Sequence, residues 1–134
     1  MKLYFKHYFH QSYEGNEGYM RPTFYPIGND SLSEMSDGDF IIFTTNLDTV
    51  EKTQCAINAI EKYISSDYDN FIIISDGYMR TAKVNIDLTC FNIMPGIDDS
   101  YKDCLPTKLF LKMLKAWHEY LNSEFKGEIE VYLT

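Results

Sequence analysis

The segment Asn70–Thr89, NFIIISDGYMRTAKVNIDLT, predicts a β-hairpin around which the rest of the chain is arranged. Its continuous apolar run, Phe71–Ile74, is typical of a strand that is buried on both faces. Asp76 and Gly77 follow, and both residue types tolerate the positive φ of a tight hairpin turn. Beyond the turn, apolar and polar residues alternate to the end of the segment, which predicts a second strand with one face in water. The hairpin therefore predicts a β-sheet at the centre of the domain.

Three segments before the hairpin predict further extended structure. Lys2–His10 alternates loosely and predicts a first strand, at a sheet edge where lysines discourage pairing with other chains. Arg21–Ile27 predicts an extended piece that is not a central strand, because its two prolines lack an N–H. The short apolar run Phe40–Thr44 predicts a central strand. Polar, glycine-containing segments separate these pieces and predict loops, namely Gln11–Gly18 and Asn29–Gly38.

Two amphipathic helices are predicted, one on each side of the hairpin. At the start of the first, Asp48 and Glu51 have the spacing of a capping box. Its apolar face holds Val50, Ile57, Ile60 and Ile64. For the second helix we expect Asp103 or Thr107 as the N-terminal cap and Gly127 as the left-handed C-terminal stop. Its apolar residues recur at helical spacing: Phe110, Leu114, Trp117, Leu121 and Phe125.

The remaining segments complete one predicted domain over residues 1–134. Phe91–Leu105 predicts a loop, in which Pro95 and Gly96 mark a turn. Glu128–Thr134 predicts a last strand. The order of these elements predicts an α+β fold: a mixed, mostly antiparallel β-sheet of about five strands, with two main helices packed on one face.

The charge of the chain argues against two classes of partner. Its 12 basic and 20 acidic residues give a net charge of −8, whereas phosphate backbones and anionic membranes bind proteins rich in Lys and Arg. The chain has neither the apolar core of a secretory signal near its N-terminus nor an apolar segment as long as a membrane span. The electrostatic field of a negatively charged chain attracts a basic protein partner. The alternative is that the net charge only keeps the chain soluble. We therefore expect a cytoplasmic protein that binds neither nucleic acid nor membrane.

The three cysteines, Cys55, Cys90 and Cys104, are far apart in sequence and odd in number, and they have no metal-ligand spacing. Reduced thiols are the simplest interpretation for a cytoplasmic protein.

Candidates for catalysis are few. The sequence contains no GxSxG, GxGxxG, Walker lysine, HExxH or CxxC motif. His7 and His10 are three positions apart, which in a strand places them on opposite faces and disfavours a shared metal ion. His118 follows Trp117 on the apolar side of the last helix, where a satisfied boundary histidine is a simpler interpretation than a general base. We expect no catalytic residue, no metal and no cofactor.

Acidic clusters beside tyrosines are the predicted contacts with a partner. Asp98, Asp99 and Asp103 flank Tyr101 in a predicted loop that has no structural need for charge, as in an electrostatic contact patch. The alternative is turn chemistry, because Asp residues in loops bond their own backbone. No window matches the ligand positions of a calcium-binding loop. The complete set of predicted partner-binding residues is Asp98, Asp99, Tyr101, Asp103, Asp67, Tyr68, Asp69 and Asp76.

The last helix carries a resemblance. This helix has a Pro-Thr entry and covers Pro106–Leu121, PTKLFLKMLKAWHEYL. In an acidic domain of this size, such a helix resembles the immunity proteins of bacterial polymorphic toxin systems, in particular the contact-dependent growth-inhibition group. The resemblance rests on layout, charge and this helix, and it assigns no role to individual residues. It implies a cytoplasmic protein that binds a cognate toxin domain, often a basic nuclease, and occludes its active site.

Two other hypotheses remain open. The first is a small enzyme or ligand-binding domain with a pocket of Tyr, His and carboxylate groups. A deep, water-shielded cleft that holds His118 and a carboxylate would favour it. The second is a DNA mimic, which is disfavoured because Lys and Arg interrupt the acidic residues.

Overall fold

The structure is a computed structural model that describes residues 2–10, 19–27, 39–66, 70–92, 100–123 and 127–132. Within these ranges, strands and helices confirm the expected α+β class. The elements in chain order are β1 (Lys2–His10), β2 (Tyr19–Ile27), α1 (Asp39–Asn46), α2 (Val50–Ser65), β3 (Ile72–Ser75), β4 (Thr81–Val84), β5 (Leu88–Asn92), β6 (Lys102–Pro106), α3 (Thr107–Asn122) and β7 (Ile129–Tyr132). The predicted loops Gln11–Gly18 and Asn29–Gly38 lie outside the described residues.

The described strands form two sheets in place of the single mixed sheet that the sequence suggested. The first sheet has the order β2-β1-β7 and the second has the order β3-β4-β5-β6. Neighbouring strands in both are antiparallel. β1 is therefore a central strand and not the expected edge strand. β2, whose prolines cannot donate to a ladder, lies at an edge as expected.

The predicted hairpin is present, but its strands are shorter and its turn is longer than expected. β3 pairs with β4 through the loop 76–80, in which Gly77 has the expected positive φ, at +88°. The alternating segment after this loop is two strands and not one, because a second turn follows β4. There the Asn85 N–H donates to the Leu88 carbonyl at 2.9 Å. The predicted loop Phe91–Leu105 accordingly contains the end of β5 and most of β6.

The apolar run Phe40–Thr44 forms helix α1, so the expectation of a central strand was wrong. A helix that is buried on most sides has the same continuous apolar pattern as a buried strand, and periodicity alone does not separate them. Phe40, Ile41 and Phe43 are all buried. The Phe43 ring lies 5.4 Å from that of Phe91 on β5, which places α1 against the second sheet.

The start of α2 lies one residue later than predicted. Thr49 caps it, since its hydroxyl accepts a hydrogen bond from the Lys52 N–H at 3.2 Å. Asp48, the expected cap, forms an ion pair with the Lys52 ammonium at 3.2 Å instead.

Neither end of α3 is capped as expected. Pro106 precedes the helix without a side-chain cap, and Thr107 is its first residue. The Thr107 hydroxyl donates to the Asn85 carbonyl at 2.6 Å, which ties the helix to the turn before β5. The helix ends at Asn122, where the Ser123 N–H closes the last turn, so Gly127 is not its stop.

The core lies between the inner face of the second sheet and the helices. The inner-face residues are buried: Ile74, Ala82, Val84, Phe91 and Leu105. Phe91 meets Phe110 of α3 edge to face, with ring centroids 5.3 Å apart. Phe5 of β1 packs against Trp117 of α3 in the same way, also at 5.3 Å, which joins the first sheet to the core. None of the described helices has the length and apolar character to cross a membrane.

Candidate functional site

The second sheet keeps its outer face open to solvent. Ile73 and Ile74 are neighbours on β3, yet Ile73 is 47% exposed and Ile74 only 9%. Their difference follows from the strand geometry, in which successive side chains point to opposite faces. Phe71 and Leu88 lie on the same side as Ile73 and are 48% and 47% exposed. We call this surface the outer face and define it by Phe71, Ile73, Lys83, Leu88, Cys90, Tyr101 and Cys104.

Lys83 lies at the middle of the outer face. In the pairing register it is directly opposite Ile73 on one side and Cys90 on the other. Its ammonium is 4.2 Å from the centroid of the Phe71 ring and 5.9 Å from that of Tyr101. It forms no ion pair with any residue that the structure describes. A half-buried cation is therefore held by aromatic rings within a largely apolar surface.

A disulfide forms one side of this surface. Cys90 and Cys104 are bonded to each other, with their Cα atoms 4.1 Å apart, so the expectation that all three thiols are reduced was wrong. The pairing of β5 with β6 brings together two cysteines that are 14 positions apart in sequence. Cys55 on α2 is a free, exposed thiol.

Two of the predicted contact residues lie at the outer face or beside it. The Tyr101 hydroxyl is 3.1 Å from that of Thr81, and its ring faces Lys83. Asp103 is next to Cys104, in the stretch where the β5–β6 register shifts, and its φ is +54°. An Asp in the left-handed region fits this irregular pairing better than most residues. Tyr101 therefore lies at the outer face and Asp103 lies in β6 beside it, whereas the sequence predicted a loop for both residues, and their role as partner contacts stays a prediction.

Asp76 does not lie on a surface. It is fully buried, so the expectation of a direct contact with a partner does not hold for this carboxylate. Oδ1 accepts hydrogen bonds from the N–H groups of Tyr78 and Arg80, at 2.8 and 3.2 Å. This is the loop chemistry that the sequence offered as the alternative. The other predicted contacts lie outside the described residues: Asp67, Tyr68, Asp69, Asp98 and Asp99.

The sequence reasoning missed Lys83 and Phe71 as site residues. It interpreted the run Phe71–Ile74 as buried on both faces, whereas only alternate residues are covered. The available signal was the alternation in the following strand. It placed Lys83 on a wet face, and a paired strand shares its faces with its neighbour.

An open groove of about 340 Å³ lies between the first sheet and α3. Its lining includes Phe5, Glu119 and Tyr120. The Tyr120 hydroxyl donates to the Gly127 carbonyl at 2.9 Å and lies 2.8 Å from Nδ1 of His7. Because the hydroxyl has only one proton, His7 is the donor to it. Burial, and secondly the Glu128 carboxylate, raise the pKa of Tyr120 above its ordinary value.

His118 is half-buried on α3 and is not among the described residues that line this groove. A second open groove, of about 290 Å³, lies between the first turns of α2 and the loop 76–80, beside Cys55. The described residues contain no group of three or more His, Cys, Asp or Glu side chains placed to hold a metal ion. The pair His7 and His10 is tested only in part, because the His10 side chain is outside the described part of the chain.

Comparison of the chain with protein-family models, with curated proteins and with solved structures found no match. The geometry of the outer face and of the groove beside Tyr120 is therefore the basis for the functional argument.

Proposed function

We propose that this protein is a binding domain of the immunity-protein kind. Its outer face docks on a cognate toxin domain and covers the active site of that toxin. The observation that supports this proposal most is the exposure of Phe71, Ile73 and Leu88 together on one ordered sheet. Exposed apolar side chains grouped on one face are a common mark of protein–protein contact surfaces.

The aromatic side chains of the surface suit the centre of an interface. It combines Phe71 and Tyr101 with aliphatic side chains and one cation, and aromatic residues supply much of the binding energy at interfaces. Its strands are fixed by ladder hydrogen bonds and by the Cys90–Cys104 disulfide. A surface that is already ordered loses little conformational entropy on binding, which favours affinity.

The net charge of −8 supports a basic protein as the partner. Opposite net charges steer two proteins together and raise the association rate constant, most strongly at low salt. Basic nucleases are one such class. The acidic residues predicted as contacts, Asp98 and Asp99 among them, contribute to this field.

Co-expression with the toxin domain encoded immediately upstream tests the proposal. We expect the wild-type chain to restore growth and to co-purify with the toxin domain. Ile73→Asp is expected to abolish both effects, since it places a charge in the apolar surface. Ile129→Asp is the matched control, because Ile129 is a strand residue of the other sheet with a similar exposure of 41%. Growth arrest that persists with the wild-type chain, without a complex, would refute the proposal.

A cytoplasmic location is also part of the proposal, since immunity proteins protect the cell that makes the toxin. The Cys90–Cys104 disulfide counts against it, because disulfides persist mainly in oxidising compartments. Alkylation of intact cells before lysis decides the question. Modification of Cys90 and Cys104 would indicate a reducing location, and protection of both would indicate an oxidising one.

The groove beside Tyr120 supports a second candidate, a small-molecule binding or catalytic domain. The specific observation is the His7–Tyr120 hydrogen bond next to a partly apolar groove that also contains Glu119. An imidazole, a phenol hydroxyl and a carboxylate are groups that general acid–base chemistry uses. Turnover of a small molecule by the purified chain, lost in His7→Ala and retained in Ile73→Asp, would replace the docking proposal.

A further inference from the structure

We infer that the partner presents an Asp or Glu carboxylate to the Lys83 ammonium at the centre of the outer face. This inference rests on the proposed docking function and specifies the chemistry of the occupant. It follows from the position of Lys83, from the groups around its ammonium, and from the unfavourable free energy of removing water from a cation.

Lys83 has apolar neighbours in the sheet. It lies on the inner strand β4, opposite Ile73 of β3 and Cys90 of β5, which is itself part of the disulfide. Its ammonium lies above the Phe71 ring, at 4.2 Å from the centroid. A partner that covers Ile73 and Phe71 must therefore cover the ammonium as well.

Covering the ammonium removes water from a group with three hydrogen-bond donors. No described carboxylate of this chain pairs with Lys83. The aromatic rings attract the positive charge, but they have no oxygen or nitrogen atom that accepts an ordinary hydrogen bond from the ammonium. A buried charge without a partner is strongly unfavourable. A carboxylate from the docking protein restores both the charge balance and the hydrogen bonds.

A second copy of this chain is a less favourable source of that carboxylate than a different protein, because two copies that each have a net charge of −8 repel each other. In a two-fold contact whose axis passes through the middle of the outer face, Lys83 of one copy would face Lys83 of the other. Two ammonium groups brought together in a largely apolar contact repel each other. The charge on this surface therefore favours a different protein over self-association.

An acidic contact group on the partner is compatible with a basic net charge of that partner. The net charges of the two proteins and the pair formed by Lys83 act at different stages of binding. The net charge of −8 acts at long range and governs the rate of association. The pair with Lys83 forms only in the docked complex and governs its rate of dissociation.

The test uses the full chain with the upstream toxin domain, inactivated in its catalytic site, and measures both rate constants. Lys83→Met is expected to raise the dissociation rate constant by about 30-fold or more, and Lys83→Glu by more than that. Association of Lys83→Glu should not slow, since its net charge rises in magnitude from −8 to −10 when a positive charge is exchanged for a negative one. Lys115→Met is the matched control, because Lys115 is exposed on the helical side and pairs with Glu61 at 3.2 Å.

A charge-reversal scan identifies the partner group. One Asp→Lys or Glu→Lys change in the toxin domain should weaken the wild-type complex and restore binding to Lys83→Glu. Denaturation curves of the free variants that match the wild-type curve will show that the fold is kept.

Lys83→Met and Lys83→Glu variants that dissociate at the wild-type rate, while Ile73→Asp abolishes binding, would overturn this inference and leave the docking function in place. Absence of any complex with the wild-type chain would overturn both. A wild-type dimer in sedimentation that Ile73→Asp dissociates would make a second copy the occupant, and it too would overturn the inference.

Discussion

Asn46 donates a hydrogen bond from Nδ2 to Oδ2 of Asp76 at 2.9 Å, which joins the end of α1 to the loop between β3 and β4. Both side chains are buried, and the second oxygen of Asp76 binds two N–H groups of the same loop. Removal of the carboxylate takes the acceptor away from all three of these hydrogen bonds. The carboxylate therefore organises the loop and connects it to a helix.

Replacement of this carboxylate should destabilise the fold. We expect Asp76→Ala to lower the free energy of unfolding by about 2–4 kcal/mol, because it leaves one buried donor, on Asn46, and two part-buried N–H groups without their acceptor. Asp87→Ala, in the exposed turn after β4, should change it by less than about 0.5 kcal/mol. Urea denaturation of both variants measures the difference. Equal effects at the two positions would contradict the role assigned to Asp76.

Trp117 is fully buried, and its Nε1 donates to the Leu47 carbonyl at 2.8 Å. Trp117→Ala should cost about 3–5 kcal/mol of stability, since a large cavity remains in the core. Trp117→Phe keeps most of the apolar volume but loses the donor, and should cost about 1–3 kcal/mol. Circular dichroism during denaturation measures the stability of both variants. Tryptophan fluorescence is not suitable, because Trp117 is the one tryptophan of the chain and both variants lack it. A larger loss for Phe than for Ala would refute this explanation.

The two faces of β3 give a matched pair of substitutions. Ile74→Ala should lower the free energy of unfolding by about 2–5 kcal/mol, because Ile74 is part of the core. Ile73→Ala should have an effect of about 1 kcal/mol or less, because Ile73 is half exposed. If the outer face docks a partner, the effects on binding have the opposite order. Chemical denaturation and a binding titration of both variants provide the comparison, and a stability loss as large for Ile73 would mean that the outer face is covered.

The disulfide should make a measurable contribution to stability. It closes a loop with a sequence separation of 14, and the chain-entropy model gives about 3 kcal/mol for a loop of that size. We expect the paired change Cys90→Ser and Cys104→Ser to lower the melting temperature, and a reductant to do the same to the wild-type chain. Cys55→Ser, at the free and exposed cysteine, is the control. Titration of the native chain should detect one thiol, and detection of three would show that no disulfide forms.

Tyr120 should make stability fall at alkaline pH. Its pKa in the folded chain is raised above the ordinary value of 10.0, first by burial and then by Glu128. When the pH rises above the pKa that Tyr120 has in the unfolded chain, the unfolded chain loses the hydroxyl proton before the folded chain does. The free energy of unfolding therefore decreases. The contribution of Tyr120 to the free energy of unfolding is fully present below its pKa in the unfolded chain, and it is lost as the pH rises through its pKa in the folded chain. Tyr120→Phe should reduce this decline in the free energy of unfolding, and an identical pH profile would exclude Tyr120 as its source.

Short-range patterns in the sequence were sufficient for several elements. Apolar residues three and four positions apart predicted both α2 and α3, and the middle of each predicted apolar face is buried, with Ile57 and Ile60 in α2 and Phe110, Leu114 and Trp117 in α3. Gly77 has the expected positive φ, which glycine adopts readily, whereas Asp76, the other residue expected to tolerate it in the turn, does not have a positive φ. These helices, together with the predicted hairpin, were sufficient for the α+β class.

Other features were decided by contacts between distant parts of the chain. Phe40–Thr44 is helical because it packs against Phe91 and its neighbours, whereas its own apolar run suits a strand equally well. The Cys90–Cys104 bond depends on the register between β5 and β6. Asp76 is buried by the loop that it organises, and no local pattern separates such an Asp from an exposed one.

The outer face is the clearest case of this division. The amino-acid sequence predicted a strand at Phe71–Ile74 and another that begins at Thr81, and the structure has strands over residues 72–75 and 81–84, since backbone preference and alternation are local properties. Only the tertiary structure decided which side of those strands meets the helices and which side, with Phe71, Ile73 and Lys83, stays in water. The physical reason is that burial depends on the area that other elements cover, and the positions of those elements are set by packing across the whole chain.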